Sequence, residues 1–192
     1  MRLIAITGGI GSGKSVIASM VKVMGYEVYD CDSRARQLMV GSDEVVKLIK
    51  ETFGAQAYHD DGSLNRTHLS KIAFGNSQAL SQLNAIVHPA TARDMQQWAH
   101  EQAQAGATIA FVETALLRTA GLDSIVDQVW YVTAPTTVRI ERVMARNGIT
   151  ARQVQDRIEA QSVEEVVAPG EHVIVNDGQR AVLPQVIELL SR

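Results

Sequence analysis

The chain has 192 residues, 46% hydrophobic and 20% charged, with a formal net charge of −3. That length suits one domain with room for an inserted lobe, and the slightly acidic balance gives no basic footprint for nucleic acid. One cysteine, Cys31, excludes an intrachain disulfide, while no apolar run reaches membrane-spanning length and no leader pattern precedes the first strand, so a soluble, cytoplasmic protein without nucleic-acid, membrane or obligatory protein partners is expected.

The apolar run Leu3-Ile4-Ala5-Ile6 reads as a buried strand and feeds into Gly8-Gly9-Ile10-Gly11-Ser12-Gly13-Lys14-Ser15, the spacing of a phosphate-binding P-loop. Glycines let the backbone curl close to a phosphate, with successive N–H groups aimed at its oxygens. Lys14 is expected on the β and γ phosphates of a nucleoside triphosphate, and the Ser15 hydroxyl on Mg²⁺. Val16, Ile17, Met20, Val21 and Met24 recur at helical spacing, which puts the loop at a helix N-terminus whose dipole favours anions.

Gly25 ends that helix, and 26–29 reads as a second strand running into Asp30-Cys31-Asp32. From 33 to 106 the pattern predicts helices only: one after Ser42-Asp43 ended by Gly54, then 67–74, 77–87, and a long one from Pro89 to about 105. Strands resume at 109–112, entering Glu113-Thr114, and at 129–133. Helices follow over 136–146 and 150–162, joined by Asn147-Gly148. A last strand, 172–175, breaks at Asn176-Asp177-Gly178 before a closing helix over 184–190.

Ligands of an open parallel sheet gather where its strands end, so Asp30, Asp32, Glu113 and Asn176 are the polar candidates. Phosphoryl transfer to an alcohol needs a carboxylate that orients the hydroxyl and takes its proton. Asp32 fits that role; the alternative is a helix N-cap beside Ser33. Asp30 and Glu113 are each read as holders of a Mg²⁺-bound water or as chain-turning acids. Arg139, Arg142 and Arg146 share one helix face, and Arg152 and Arg157 sit across the turn: a lid over phosphates, or a solvated face paired with Glu141, Asp156 and Glu159. His88 is a ligand contact, a cap or a packing residue, and Arg66 grips an anionic substrate or is simply exposed.

These motifs together resemble the dephospho-CoA kinase family over nearly the whole chain. The resemblance is carried by Thr7 through Ser15, Asp30-Cys31-Asp32 with Ala35-Arg36, Phe53-Gly54, Gly62-Ser63-Leu64-Asn65-Arg66, Asn84-Ala85-Ile86-Val87-His88-Pro89, Arg139-Ile140-Glu141-Arg142, Arg157-Ile158 with Gln161, and Val175-Asn176-Asp177-Gly178. It implies an α/β fold: a P-loop NTPase-type parallel sheet flanked by helices, with an inserted helical substrate lobe and a helical lid. The expected parts are a nucleotide-binding core (1–32, 107–134, 163–192), a dephospho-CoA-binding lobe (33–106) and an arginine lid (135–162). The implied reaction is ATP-dependent phosphorylation of the ribose 3′-hydroxyl of dephospho-CoA, with ATP and Mg²⁺ as cofactors and Asp32 as base.

Catalytic roles are expected of Asp32, Lys14 and Arg142, and nucleotide contacts of Gly9, Ile10, Gly11, Ser12, Gly13, Lys14, Ser15, Val16, Arg139, Arg142, Arg146 and Asn176, the last near adenine. Substrate contacts are expected of Asp32, Arg66, His88 and Arg157, and the metal at Ser15 and, through water, Glu113. One stretch departs from the family, since Thr119 stands where relatives carry a glutamate after the third strand, with compensation by Arg118 one option. The rival readings are another small P-loop kinase, acting on a nucleoside or nucleoside monophosphate, and a nucleotide-dependent switch, which would need an Asn-Lys-x-Asp motif that the chain lacks.

Overall fold

The computed structural model describes residues 1–73 and 76–192. The expected helix end at Phe74 lies outside the described residues. Two compact units divide the chain: Met1–Asp30 with Ala99–Arg192, and Cys31–Trp98.

The first unit is built on five parallel strands, β1 (Arg2–Thr7), β2 (Glu27–Asp30), β3 (Ile109–Glu113), β4 (Gln128–Thr133) and β5 (His172–Val175), in the order β2-β3-β1-β4-β5. The central strand β1 is buried along Leu3, Ile4, Ala5 and Ile6, the continuous apolar run that a sheet covered on both faces requires. Ile4 and Ile6 pack with Phe111, Trp130, Val132 and Ile174 against Ile17, Ala18 and Val21 of helix α1 (Lys14–Val23). In the unit's closing helix, Val182–Leu190, Val186 and Leu189 join the same core. Phe111 makes an edge-on contact with Trp130 at 5.0 Å between ring centroids.

The second unit opens with α2 (Cys31–Gly41), whose first turn takes in Cys31 and Asp32 of the expected acidic turn. Next come α3 (Asp43–Phe53), whose Ser42 cap accepts the Val45 N–H, α4 (Arg66–Ala73) and α5 (Ser77–Gln104), the last running past the unit boundary. Its core is Val45, Ile49, Ala57, Tyr58, Leu69, Val87 and Ala90, with the Tyr58 hydroxyl donating to Met39 O at 2.6 Å. Two expectations fail here. The stretch is not helical throughout, because Tyr58 and Leu64 form an antiparallel bridge. Pro89, expected to start a helix, lies inside α5, which runs unbroken where two helices were expected. An interior proline costs about 3 kcal/mol of helix stability, yet Val87, Ala90 and Thr91 around it are buried, and that packing keeps the helix continuous. The buried Thr91 hydroxyl donates to Val87 O at 2.9 Å.

Behind β4, helices α6 (Thr136–Asn147) and α7 (Ala151–Ala160) form a hairpin around Val143, Val154 and Ile158. Gly148 in the left-handed conformation ends α6, and a reciprocal Thr150–Gln153 capping box starts α7. A 3-10 turn, Ser162–Glu165, leads on towards β5.

Candidate active site

Strand register brings the sheet unit's candidates to one rim. Ile6 pairs with Glu113 and Glu113 with Asp30, so β1, β3 and β2 end side by side. On the other flank Thr7 pairs with Tyr131, and the Asn176 N–H donates to Thr133 O at 2.8 Å. The P-loop, Glu113, Asp30 and Asn176 therefore share the carboxyl end of the sheet, where ligands of this architecture bind.

The loop enters α1 through Gly13, which sits at φ +97° as its N-cap. A Cβ there would run into the Asn176 side-chain amide, whose Nδ2 donates to Ser12 O at 2.8 Å. Lys14 Nζ folds back over its own loop and donates to Gly8 O at 2.8 Å and Gly9 O at 3.3 Å. Ser12 Oγ and Thr7 Oγ1 are buried without a protein partner, a costly state that a polar ligand relieves. Ser15 and Val16 follow, exposed in the first turn of α1.

The arginines of the hairpin divide. Arg142 Nη1 donates to Asn176 O at 3.0 Å and lies 3.5 Å from Gly11 O, while Nη2 reaches Asn176 Oδ1 at 3.4 Å, so this guanidinium borders the loop. Arg139 was expected on the nucleotide. It is buried at 5% exposure, and its guanidinium is engaged by protein: Nε donates to Ile10 O at 2.8 Å, and Nη1 and Nη2 to the two Glu165 oxygens at 3.1 and 2.6 Å. Arg146 is exposed and donates to Asn147 Oδ1 at 2.8 Å. Arg157 is exposed, and Arg152 pairs with Asp156 at 3.0 Å across one helical turn, the solvated-face alternative for that residue.

Past β3, Glu164 is 1% exposed and accepts the N–H groups of Thr119 at 2.7 Å and Arg118 at 3.1 Å. Arg118 pairs in turn with Glu171 at 2.5 Å. The backbone at Thr119 is thus fastened by a carboxylate from a distant segment. Burial raises the pKa of the Tyr131 hydroxyl, reinforced by the Glu165 charge. Backbone N–H donation from Arg180 and Gln179 holds the Asp177 carboxyl below its usual range.

In the helical unit, Asp32 is exposed at the second position of α2. It is therefore not the N-cap, and an acid in a first turn is favoured by the helix dipole. Arg34 makes a two-pronged pair with Asp94, at 2.9 and 2.7 Å. Arg66 is exposed at the start of α4, which Asn65 caps by accepting the His68 N–H at 3.0 Å. His88 is half-buried inside α5, which removes the capping alternative. Sequence reasoning gave no role to Gln161, Glu164 or Glu165: Gln161 entered only among the residues of the family resemblance, and Glu164 and Glu165 only as two acids following α7.

A glycine loop with its lysine folded over it, set at the rim of a parallel sheet, marks the P-loop phosphotransferases, and comparison with known proteins narrows the class. The family model of dephospho-CoA kinase matches residues 2–181. A dephospho-CoA kinase of Porphyromonas gingivalis is 35% identical over 193 aligned residues, covering 100% of this chain and 94% of the relative, and that of Salinibacter ruber is 38% identical over 179, covering 93% and 90%. Among solved structures, TT1252 from Thermus thermophilus superposes with a TM-score of 0.77 at 29% identity, covering 99% of this chain and 94% of the other. A dephospho-CoA kinase from Campylobacter jejuni gives 0.72 at 18% identity, covering 100% and 96%, a likeness of fold alone. The chain belongs to the dephospho-CoA kinase family. Its activity is the ATP-dependent phosphorylation of dephospho-CoA to CoA, and neither the nucleoside kinase nor the switch reading is favoured. Among the described residues, no helix is long and apolar enough to cross a membrane.

Proposed function

We propose that this phosphorylation is directed to the ribose 3′-hydroxyl by Asp32, with the triphosphate of ATP held on the loop Gly9, Ile10, Gly11, Ser12, Gly13, Lys14, Ser15 and Val16. The observation that carries the reading is the loop itself: left-handed glycines, a lysine ammonium folded over the turn, and two buried hydroxyls without partners. Asp32 accepts the alcohol proton as the oxygen attacks the γ-phosphorus, and the bond to ADP breaks on the opposite side. Lys14 and Arg142 draw negative charge away from the group in transit, and Arg146 adds to the lid. Asn176, already bonded to Ser12 O and Arg142, borders the adenine. Arg139 acts on the nucleotide through the loop, by holding Ile10 O.

The Ser15 hydroxyl and the Glu113 carboxylate are hard oxygen donors of the kind Mg²⁺ takes, Glu113 through water. When bound there, the ion neutralises charge on the β and γ phosphates. The helical lobe of 33–106 receives dephospho-CoA with Asp32, Arg66, His88 and Arg157 in contact, 135–162 closes as the lid, and the remainder is the nucleotide core. The cytoplasm is the compartment we assign. Asp32→Asn keeps the size of the side chain but not its basicity, so turnover should fall by roughly 10²–10⁴ while ATP affinity stays within about twofold. Turnover near that of the parent removes Asp32 from the mechanism.

A further inference from the structure

Gln161 belongs to the family pattern but has no part in the chemistry above. Its Oε1 accepts the N–H of Ile10 at 3.0 Å, across 151 positions of sequence. The carbonyl of the same residue accepts Arg139 Nε at 2.8 Å, and Arg139 is held on its outer edge by both oxygens of Glu165. The Ile10 side chain packs with Val143, Val154 and Ile158 of the α6–α7 hairpin. One residue of the P-loop is thus gripped at its N–H, its carbonyl and its side chain, all by the hairpin and the turn behind it. The approach is close enough that a Cβ on Gly9 would run into the Arg139 guanidinium and lie 2.6 Å from Glu165 Oε1.

A loop rich in glycine has many backbone states open to it, and ordering those states at the moment of binding weakens affinity. A loop already held in one shape avoids that loss. We propose that Gln161 is a positioning residue for the nucleotide: by engaging the Ile10 N–H, alongside the Arg139–Glu165 pair on the carbonyl, it presets the P-loop without itself touching the phosphates. The proposal rests on the P-loop being the nucleotide site, as argued above.

The test uses Gln161→Met, which keeps length but has no acceptor oxygen, and Gln161→Ser, which shortens the side chain. Calorimetric titration with Mg·ADP should show the dissociation constant rising about 3- to 10-fold in both, the range one hydrogen bond supplies. The kcat at saturating ATP and the KM for dephospho-CoA should stay at parent values, and amide exchange at Ile10 should accelerate. Unchanged Mg·ADP affinity in both variants overturns the proposal, as does an equal loss in kcat and both KM values, which marks a purely structural role. Lys14→Ala, titrated alongside, separates the two levels. If it binds Mg·ADP like the parent, the P-loop reading itself fails; if it loses binding while the Gln161 variants keep it, only the positioning role fails.

Discussion

Glu164→Ala is the substitution whose cost the structure defines best. The side chain is 1% exposed, and its two oxygens accept the backbone N–H groups of Thr119 at 2.7 Å and Arg118 at 3.1 Å, both in a part-buried setting. Truncation strands both donors, at about 1–3 kcal/mol each, and leaves a cavity in a packed region. Relief from having dehydrated a carboxylate offsets part of that loss. The net is about 3 kcal/mol, which in a chain of this size lowers Tm by about 6–12 °C. Glu164→Gln retains one acceptor oxygen but turns an amide donor toward the other N–H, so it should fall between parent and alanine. Thermal unfolding followed by far-ultraviolet dichroism gives the magnitude, and amide exchange at 118 and 119 gives the location. A drop under about 2 °C, or unchanged exchange at those two amides, refutes the assignment of Glu164 as the fastening of this loop.

Two further outcomes follow from the rim of the sheet. Gly13→Ala places a Cβ at φ +97° against the Asn176 amide, so Mg·ADP affinity should drop roughly tenfold or more from left-handed strain of about 1–2 kcal/mol plus the collision, and affinity within twofold of the parent would contradict the geometry. Asp177 accepts the N–H groups of Gln179 and Arg180, both at 2.8 Å, and its carboxyl titrates below the ordinary range for that cause. Because the folded value is the lower one, its contribution to stability is full above the unfolded value of about 3.9 and is lost as pH falls through the folded value. A carbon-detected NMR titration of Asp177 with its midpoint at or above about 3.9 contradicts this.

What could be read directly from the chain was local. The P-loop is eight consecutive residues with a strand before and a helix after, and each of those three parts announces itself by composition. The central strands β1, β3 and β4 were equally legible, because buried parallel strands are short apolar runs with polar residues just past their ends. Pro89 misled because helix propensity is a local preference, whereas Val87 and Ala90 are buried in a cluster with Val45, Ile49 and Tyr58, far away in sequence. Arg139 shows the same divide within one residue. Helical spacing put it on a face with Arg142 and Arg146, but nothing local said that Glu165 would claim both ends of its guanidinium. The roles of Gln161 and Glu164 were hidden for that reason too: their partners, Ile10 and the backbone at 118–119, lie 151 and about 45 positions off.

The central claim, a P-loop holding ATP while an acid directs the ribose 3′-hydroxyl of dephospho-CoA, is met most directly by product analysis. The protein is incubated with Mg·ATP and an equimolar mixture of dephospho-CoA, adenosine and AMP, and the products are resolved by mass and by phosphorus NMR. The account predicts a single new phosphorylated species, CoA carrying its added phosphate on the ribose 3′ oxygen, formed mole for mole with ADP. Phosphate arriving on adenosine or AMP, on the 2′ oxygen, or on none of the acceptors while ATP is consumed would contradict it.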